Sequence, residues 1–415
     1  MRSIRAPLGS VRLAFHGSAP SWVLIQQVVV RGLAAVKFLA IGRILGPAAI
    51  GNVGVALLAV AIAEALSDTG LNQAVVQAKG VPTRSELGAV WTTLTTRGAF
   101  IALLLIAVAP LMNAQFHLNG SVALLQLAAA LPLIRGLASP AYFMVQRDRR
   151  FQRLASVETS SAFADCAVGL LCALSGAGAY AVLIGMIVGE TLKTVLTWLV
   201  MGARPPVRLK WSGIGHYVNF SRWIWAGSVV NLVLNQFDKV LVGRLLGPAA
   251  LGAYQMSSRF AQMLLADAAI AMSQYLFPTF SAHNRKGDGS AAKLFTRYLA
   301  FIAVGLVVVV LTLRMTAEPL FMLLLGPAWM SAVPLFKIFV INMAIGALIA
   351  VLVAYLRAIG DPKATTQASV LQGVLLLLVV PPATYGWGVT GVAWAMTASL
   401  TASAGWMCYR IIKRV

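Results

Sequence analysis

An all-α membrane fold of twelve spanning helices, set in two like-oriented lobes of six, is predicted by three features of the sequence. Apolar residues make up 59% of the 415-residue chain and charged residues only 11%, where a soluble protein carries about 25% charged. Mostly apolar stretches recur along the chain at the length of about 20 residues that crosses ~30 Å of hydrocarbon. The decapeptide GRILGPAAIG at 42–51 returns as GRLLGPAALG at 243–252. The offset of 201 persists upstream, where Trp22, Val28, Val29 and Leu33 align with Trp223, Val229, Val230 and Leu234. A match that long marks an internal duplication.

Taken in order, 1–20 carries Arg2, Arg5 and Arg12 without an apolar core and is expected to be a cytosolic tail, not a cleaved signal. The first lobe, 21–202, holds predicted spans 21–45, 47–67, 89–112, 121–145, 157–175 and 178–201. A cytosolic linker at 203–216 leads to the second lobe, 217–415, with spans 217–246, 248–276, 295–314, 332–356, 364–384 and 387–410. The segment 317–330 is expected to lie at the interface. Each decapeptide ends a lobe's first helix and begins its second. Gly46-Pro47 and Gly247-Pro248 suit that turn, because glycine takes unusual backbone angles and proline fits the first turn of a helix. Arg43 and Arg244 suit the negative end of a helix dipole, so the decapeptide is read as scaffold. Pro132 and Pro140 flank Arg135 and predict a bend in the fourth span. Cys166, Cys172 and Cys408 have no metal-ligand spacing and are expected to act as small packing residues.

Lysine and arginine sort onto alternate loops. One set takes the N-terminal arginines, Lys79 and Arg84, then Arg147, Arg149, Arg150 and Arg153, and continues through Arg204, Arg208 and Lys210 to Arg410, Lys413 and Arg414. The other set has only Arg43, Arg244 and Arg314. The bias predicts cytoplasmic N- and C-termini and lobes related by an axis along the membrane normal. It also accounts for most of the +21 net charge, so no nucleic-acid partner is implied.

Charges inside the spans are the informative residues, since each costs about 2.5–3.5 kcal/mol at mid-membrane without a partner or water. Arg31, Arg97 and Arg259 have apolar sequence on both sides and lead the candidates, followed by Lys37, Lys239 and Arg135. Together they suggest a cationic cavity suited to an anion, and to phosphate above all, because guanidinium groups donate paired hydrogen bonds. Arg222, Lys337 and Arg135 can instead reach an interface by snorkelling. Glu190 and Lys193, at i and i+3, are expected to pair with each other. Glu64, Asp238 and Asp267 are candidate ion-coupling acids, and Asp68 is expected to end its helix or cap the next. The sequence has no GxxxxGK[ST] loop and offers little room for a catalytic site outside the bilayer, so neither a cofactor nor enzyme activity is expected.

Several stretches resemble one known family. GRILGPAAIGNVGVA with LSDTGLNQAVVQ, LIRGLASPAYFMVQRDRRFQRLASVE and FDKVLVGRLLG are similar to the Wzx-like polysaccharide transporters, the lipid-linked oligosaccharide flippases of the multidrug/oligosaccharidyl-lipid/polysaccharide exporter superfamily. YLFPTFSAHNRK, LLLGPAWMSAVPLF and AYLRAIGDPKAT extend the resemblance over nearly the whole chain. Asp68, Arg43, Arg244, Asp238, Arg149, Phe151 and Trp329 fall on its motif positions, and most are expected to be structural. The resemblance implies a bacterial inner-membrane protein that moves a sugar repeat unit on a polyprenyl pyrophosphate to the outer leaflet by alternating access. It also suggests a polysaccharide polymerase and a chain-length regulator as partners. The alternatives are a drug/cation antiporter of the same superfamily, a murein-precursor flippase, which resembles a fourteen-span layout, and a membrane glycosyltransferase or polymer ligase.

Overall fold

The computed structural model describes residues 21–78, 80–118, 122–201, 215–285 and 289–413, with the side chains of 215–223, 266–271 and 274 outside that description. Among the described residues every regular element is helical. The order is α1 (Ser21–Leu66), α2 (Leu71–Gln77), α3 (Arg84–Phe116), α4 (Val122–Ala128), α5 (Ala130–Gly136), α6 (Ala141–Arg147), α7 (Phe151–Leu174) and α8 (Tyr180–Val200). Then come α9 (Gly215–Leu246), α10 (Pro248–Asn284), α11 (Ser290–Met315), α12 (Ala317–Leu324), a 3₁₀ turn (Pro327–Ala332), α13 (Val333–Ala358) and α14 (Pro362–Ile412). Among the described residues seven helices are long and apolar enough to cross a membrane, or eight with the bent α4–α6 segment. The linker expected at 203–216 lies almost entirely outside the described residues.

Two helices are far too long for one crossing. At ~1.5 Å per residue, the 46 residues of α1 and the 51 of α14 would run to more than twice ~30 Å of hydrocarbon. Both break at a glycine with non-helical angles, Gly46 (φ 73°, ψ 176°) and Gly388 (φ 59°, ψ −142°). The halves of α1 match the predicted spans 21–45 and 47–67, and those of α14 match 364–384 and 387–410. In α14 the break is a reversal. Asp361 caps its start by accepting the Ala364 N–H, and Arg410 near its end donates to the same carboxylate at 2.9 Å.

Packing divides the chain into two compact units. Among the described residues one unit runs to Leu45 and resumes over Val55–Leu232, and the other takes Gly46–Gly54 and everything from Val233. The repeated decapeptides meet inside the second unit. Gly247 has nearly the angles of Gly46 (φ 86°, ψ 175°), so both glycine–proline steps turn as expected. A Cβ on Gly51 would strike the carbonyl oxygen of Pro248, and one on Gly252 that of Pro47. The contact is reciprocal across the repeat and brings backbone against backbone, which is how helices gain van der Waals energy where lipid removes the hydrophobic drive. Elsewhere in this unit α10 packs along α13. The segment expected at the interface packs by one face, with Phe321 and Trp329 fully buried and Phe321 ringed by Phe260 and Phe336 at 5.4 and 5.1 Å, while Met322, Leu323 and Met330 are exposed on the other. Its chain turns at Gly326 (φ 88°) ahead of Pro327, a third use of the same device.

In the first unit the expected bend in the fourth span appears as a 59° break between Val122–Gly136 and Ala141–Arg147. Backbone groups freed by a break need partners inside a membrane, and α3 and α8 supply them. Thr95 donates to the Gly136 carbonyl at 2.9 Å and Thr194 to Ile134 at 3.0 Å. The indoles of Trp91 and Trp198 both donate to Leu137, and the Thr197 hydroxyl accepts the Ser139 N–H. The break is fixed on two sides, and it fixes Arg135 just before it.

Candidate functional site

Five helices of the first unit place a network of charges around α7 and α8. Gly185 and Gly189 let these two helices approach closely: a Cβ on Gly189 would lie 2.8 Å from that of Asp165 and 2.9 Å from the Ser161 carbonyl. Glu158, Ser161 and Asp165 follow helical spacing along the facing side of α7, as Met186, Gly189, Glu190 and Lys193 do on α8. From α5, the Arg135 guanidinium donates through Nη1 to Glu64 of α1 at 3.0 Å and through Nε to Glu190 at 2.8 Å. Lys193 pairs with Glu158 at 2.7 Å and lies 5.3 Å from the Tyr142 ring centroid, while the Tyr142 hydroxyl donates to Glu158 at 2.7 Å. Lys37 of α1 is buried, pairs with Asp165 and donates to the Val182 carbonyl at 3.3 Å. Between α1, α7 and α8 lies a cavity of about 170 Å³.

Glu190 and Lys193 do not pair with each other, contrary to the expectation from their spacing. Both sit on one face of α8, but that face meets α5 and α7, where Arg135 and Glu158 approach each from a better direction. Lys337, read as free to snorkel, is instead 2.9 Å from Glu318. Arg222 lies outside the described side chains.

The six cations expected in one cavity take up different roles. Lys37 and Arg135 are matched by carboxylates. Arg97 finishes α1, donating to the Glu64 carbonyl at 2.6 Å and the Ser67 hydroxyl at 3.1 Å, where the helix dipole is negative. Asp68 then accepts the Gly70 N–H at 3.0 Å, the helix-ending part expected of it. Arg31 is exposed on α1, next in sequence to Val30 on the cavity wall. In the second unit Lys239 of α9 donates to the Asn235 carbonyl at 2.6 Å and to Gln236 at 3.2 Å. Arg259 of α10 is exposed and close enough to repel it. Among the described residues neither has an ion pair. Unlike Lys37 and Arg135, these two are not tied to a carboxylate at salt-bridge distance, although Asp238 attracts Lys239.

The acids divide similarly. Glu64 is held by Arg135, and Asp238 is buried at 2% exposure with one oxygen accepting the Tyr254 hydroxyl at 2.6 Å. The side chain of Asp267 lies outside the described residues. Sequence reasoning missed Glu158 and Tyr142, because Glu158 falls at the edge of a predicted span. Its i, i+3, i+7 spacing with Ser161 and Asp165 was the signal available. Cys166, Cys172 and Cys408 are unbridged.

Comparison with known proteins sets this geometry in context. The chain is 24% identical over 389 residues to the succinoglycan biosynthesis transport protein ExoT of Rhizobium meliloti (strain 1021), covering 93% of this chain and 76% of that one. It is 20% identical over 354 residues to the lipopolysaccharide biosynthesis protein WzxC of Escherichia coli (strain K12), covering 83% and 68%. Among solved structures, the lipid II flippase MurJ in an inward closed conformation aligns with a TM-score of 0.76 over 93% of this chain and 86% of that one, at 13% identity, a likeness of fold. Residues 40–334, well over half of the chain, match the profile of the polysaccharide biosynthesis protein family, and the chain belongs to that family.

Proposed function

We propose that this protein moves polyprenyl-pyrophosphate-linked oligosaccharide repeat units from the cytoplasmic to the outer leaflet of a bacterial inner membrane, for surface polysaccharide export. The observation that carries this reading is the near full-length likeness to relatives named for polysaccharide biosynthesis and transport. A flippase fold supports it, with twelve passes in two six-helix lobes, 21–202 and 217–415, that open alternately to each side. It acts as a transporter, without a catalytic step. The cytoplasmic termini follow from the loop charges. A polysaccharide polymerase and a chain-length regulator are the natural partners downstream.

Lys239 and Arg259 are the best-placed groups for the pyrophosphate, since a cation already bound to carboxylates gives little to an anionic ligand. Arg31 joins them by exposure. Lys37, Arg97 and Arg135 hold the first unit together instead. Glu64, Asp238 and Asp267 remain our candidates for ion coupling. A cation exporter would instead need uncompensated carboxylates, and in the first unit Glu64, Glu158, Asp165 and Glu190 each already meet a cation, which leaves Asp238, among the described residues, as an acid without a salt bridge that would serve that reading.

A lipid extract from a strain lacking the gene tests the proposal. Polyprenyl-linked oligosaccharide should accumulate on the inner leaflet, out of reach of externally added glycosidase. An unchanged distribution between leaflets would sink it. Lys239→Gln or Arg259→Gln should reproduce the accumulation while protein remains in the membrane. Full export from both would remove the phosphate-binding role.

A further inference from the structure

We propose that the cavity between α1, α7 and α8 in the first unit is a binding site for one neutral sugar ring, the part of the cargo that this unit recognises. The inference rests on the reading of the protein as a carrier of sugar repeat units. Three wall residues are carboxylates, Glu158, Asp165 and Glu190. Each has one oxygen fixed by a cation: Glu158 Oε1 by Lys193, Asp165 Oδ1 by Lys37 and Glu190 Oε1 by Arg135. Among the described residues the second oxygen of each has no bond, although all three side chains are only partly exposed.

This pattern selects a ligand class. Carboxylate oxygens are acceptors only, so they call for a ligand rich in hydroxyl donors. Because each wall carboxylate already has its cation, a free cation finds no whole charge to neutralise, and an anion meets three acceptors beside a single wall cation, Lys193, that Glu158 already holds. A neutral polyhydroxyl ring satisfies both conditions. At ~30 Å³ per water, the cavity of about 170 Å³ has the room of five or six waters, enough to seat one sugar ring. Val30 and Met186 give it apolar wall for a ring face. The carboxylates are also rigid, since Lys37, Arg135 and Lys193 are each anchored on helices, so little ordering is left to oppose binding.

The test uses the full-length protein in lipid nanodiscs with glucose, galactose and N-acetylglucosamine as probes, read by saturation-transfer NMR. At least one neutral pyranose should bind saturably, glucuronate should not compete, and sodium chloride should leave the signal unchanged. Ala162→Leu on the cavity wall, which fills space without touching a charge, should weaken binding about tenfold. Val30→Phe fills the same space from α1 and serves if the first variant does not fold. No saturable binding by any neutral pyranose, displacement by sodium, or unchanged affinity in a folded cavity-filling variant would overturn the proposal. The two readings fail separately. If the wild-type gene clears inner-leaflet oligosaccharide in the deletion strain but no pyranose binds, the sugar site alone falls. If the deletion strain traps no oligosaccharide, the transport reading falls whatever the NMR shows.

Discussion

Arg135 bridges carboxylates on two other helices, Glu64 at 3.0 Å and Glu190 at 2.8 Å, with its side chain about one-third exposed. Replacing it with glutamine leaves two half-buried carboxylates without their cation. Discounted for exposure, we expect a loss of about 1–2 kcal/mol, read as a lower melting temperature of the detergent-solubilised protein. Arg135→Gln combined with Glu190→Gln should recover part of that loss, and no recovery would mean the pair does not form. Lys239→Gln should cost less stability, because the relief of burying its charge and of the Arg259 repulsion offsets the lost attraction of Asp238, while losing transport. The sequence identified both residues as intramembrane cations but not this difference. Burial charge is visible in one dimension, whereas the identity of the partner depends on helix rotation. Glu190 and Lys193 illustrate the point: a spacing that permits an intrahelical pair does not compel one when Arg135 and Glu158 face them across the packing.

At the scale of elements, the glycines of the repeat carry the sharpest consequence. Gly51→Ala and Gly252→Ala should each force the two decapeptides apart, because the added methyl meets a proline carbonyl rather than a movable side chain. Overpacking of this kind costs about 1–3 kcal/mol, and the reciprocal geometry predicts similar losses for the two variants. Gly32→Ala, with open space at its Cβ, is the control and should melt like wild type. A Gly51→Ala protein that melts with the control would show that the repeats do not touch in the membrane. The turns were legible in advance because Gly46-Pro47 and Gly247-Pro248 combine two residues with narrow backbone meanings. So was the bend in the fourth span, from its flanking prolines. The close crossing of the decapeptides was not, since a glycine that admits a neighbour looks in sequence like one that merely turns. Which residues of the 317–330 segment turn inward was hidden for a similar reason: its composition does not separate buried Phe321 and Trp329 from exposed Met322 and Leu323.

For the whole molecule, duplication and charge distribution together constrain the orientation. On the proposed twelve-span layout, an even number of crossings separates the two copies of the decapeptide, so both face the same side. On the proposed topology, the paucity of lysine and arginine beside them puts that side away from the cytoplasm. The folded chain adds which loop positions are accessible. Leu118 in the loop after α3 is buried, but its neighbour His117 is exposed, as is Ser175 after α7. Arg153, in the first turn of α7, is exposed at the opposite end of that helix. With Cys166, Cys172 and Cys408 first replaced by serine or alanine, His117→Cys and Ser175→Cys should react in intact cells with a membrane-impermeant maleimide. Arg153→Cys should react only after the membrane is opened. Labelling of Arg153→Cys alone from outside would invert the whole arrangement, put Lys239 and Arg259 on the reverse path, and turn an exporter of lipid-linked sugar into an importer. Mixed labelling of His117→Cys and Ser175→Cys would break the even count of crossings on which the like-oriented lobes depend.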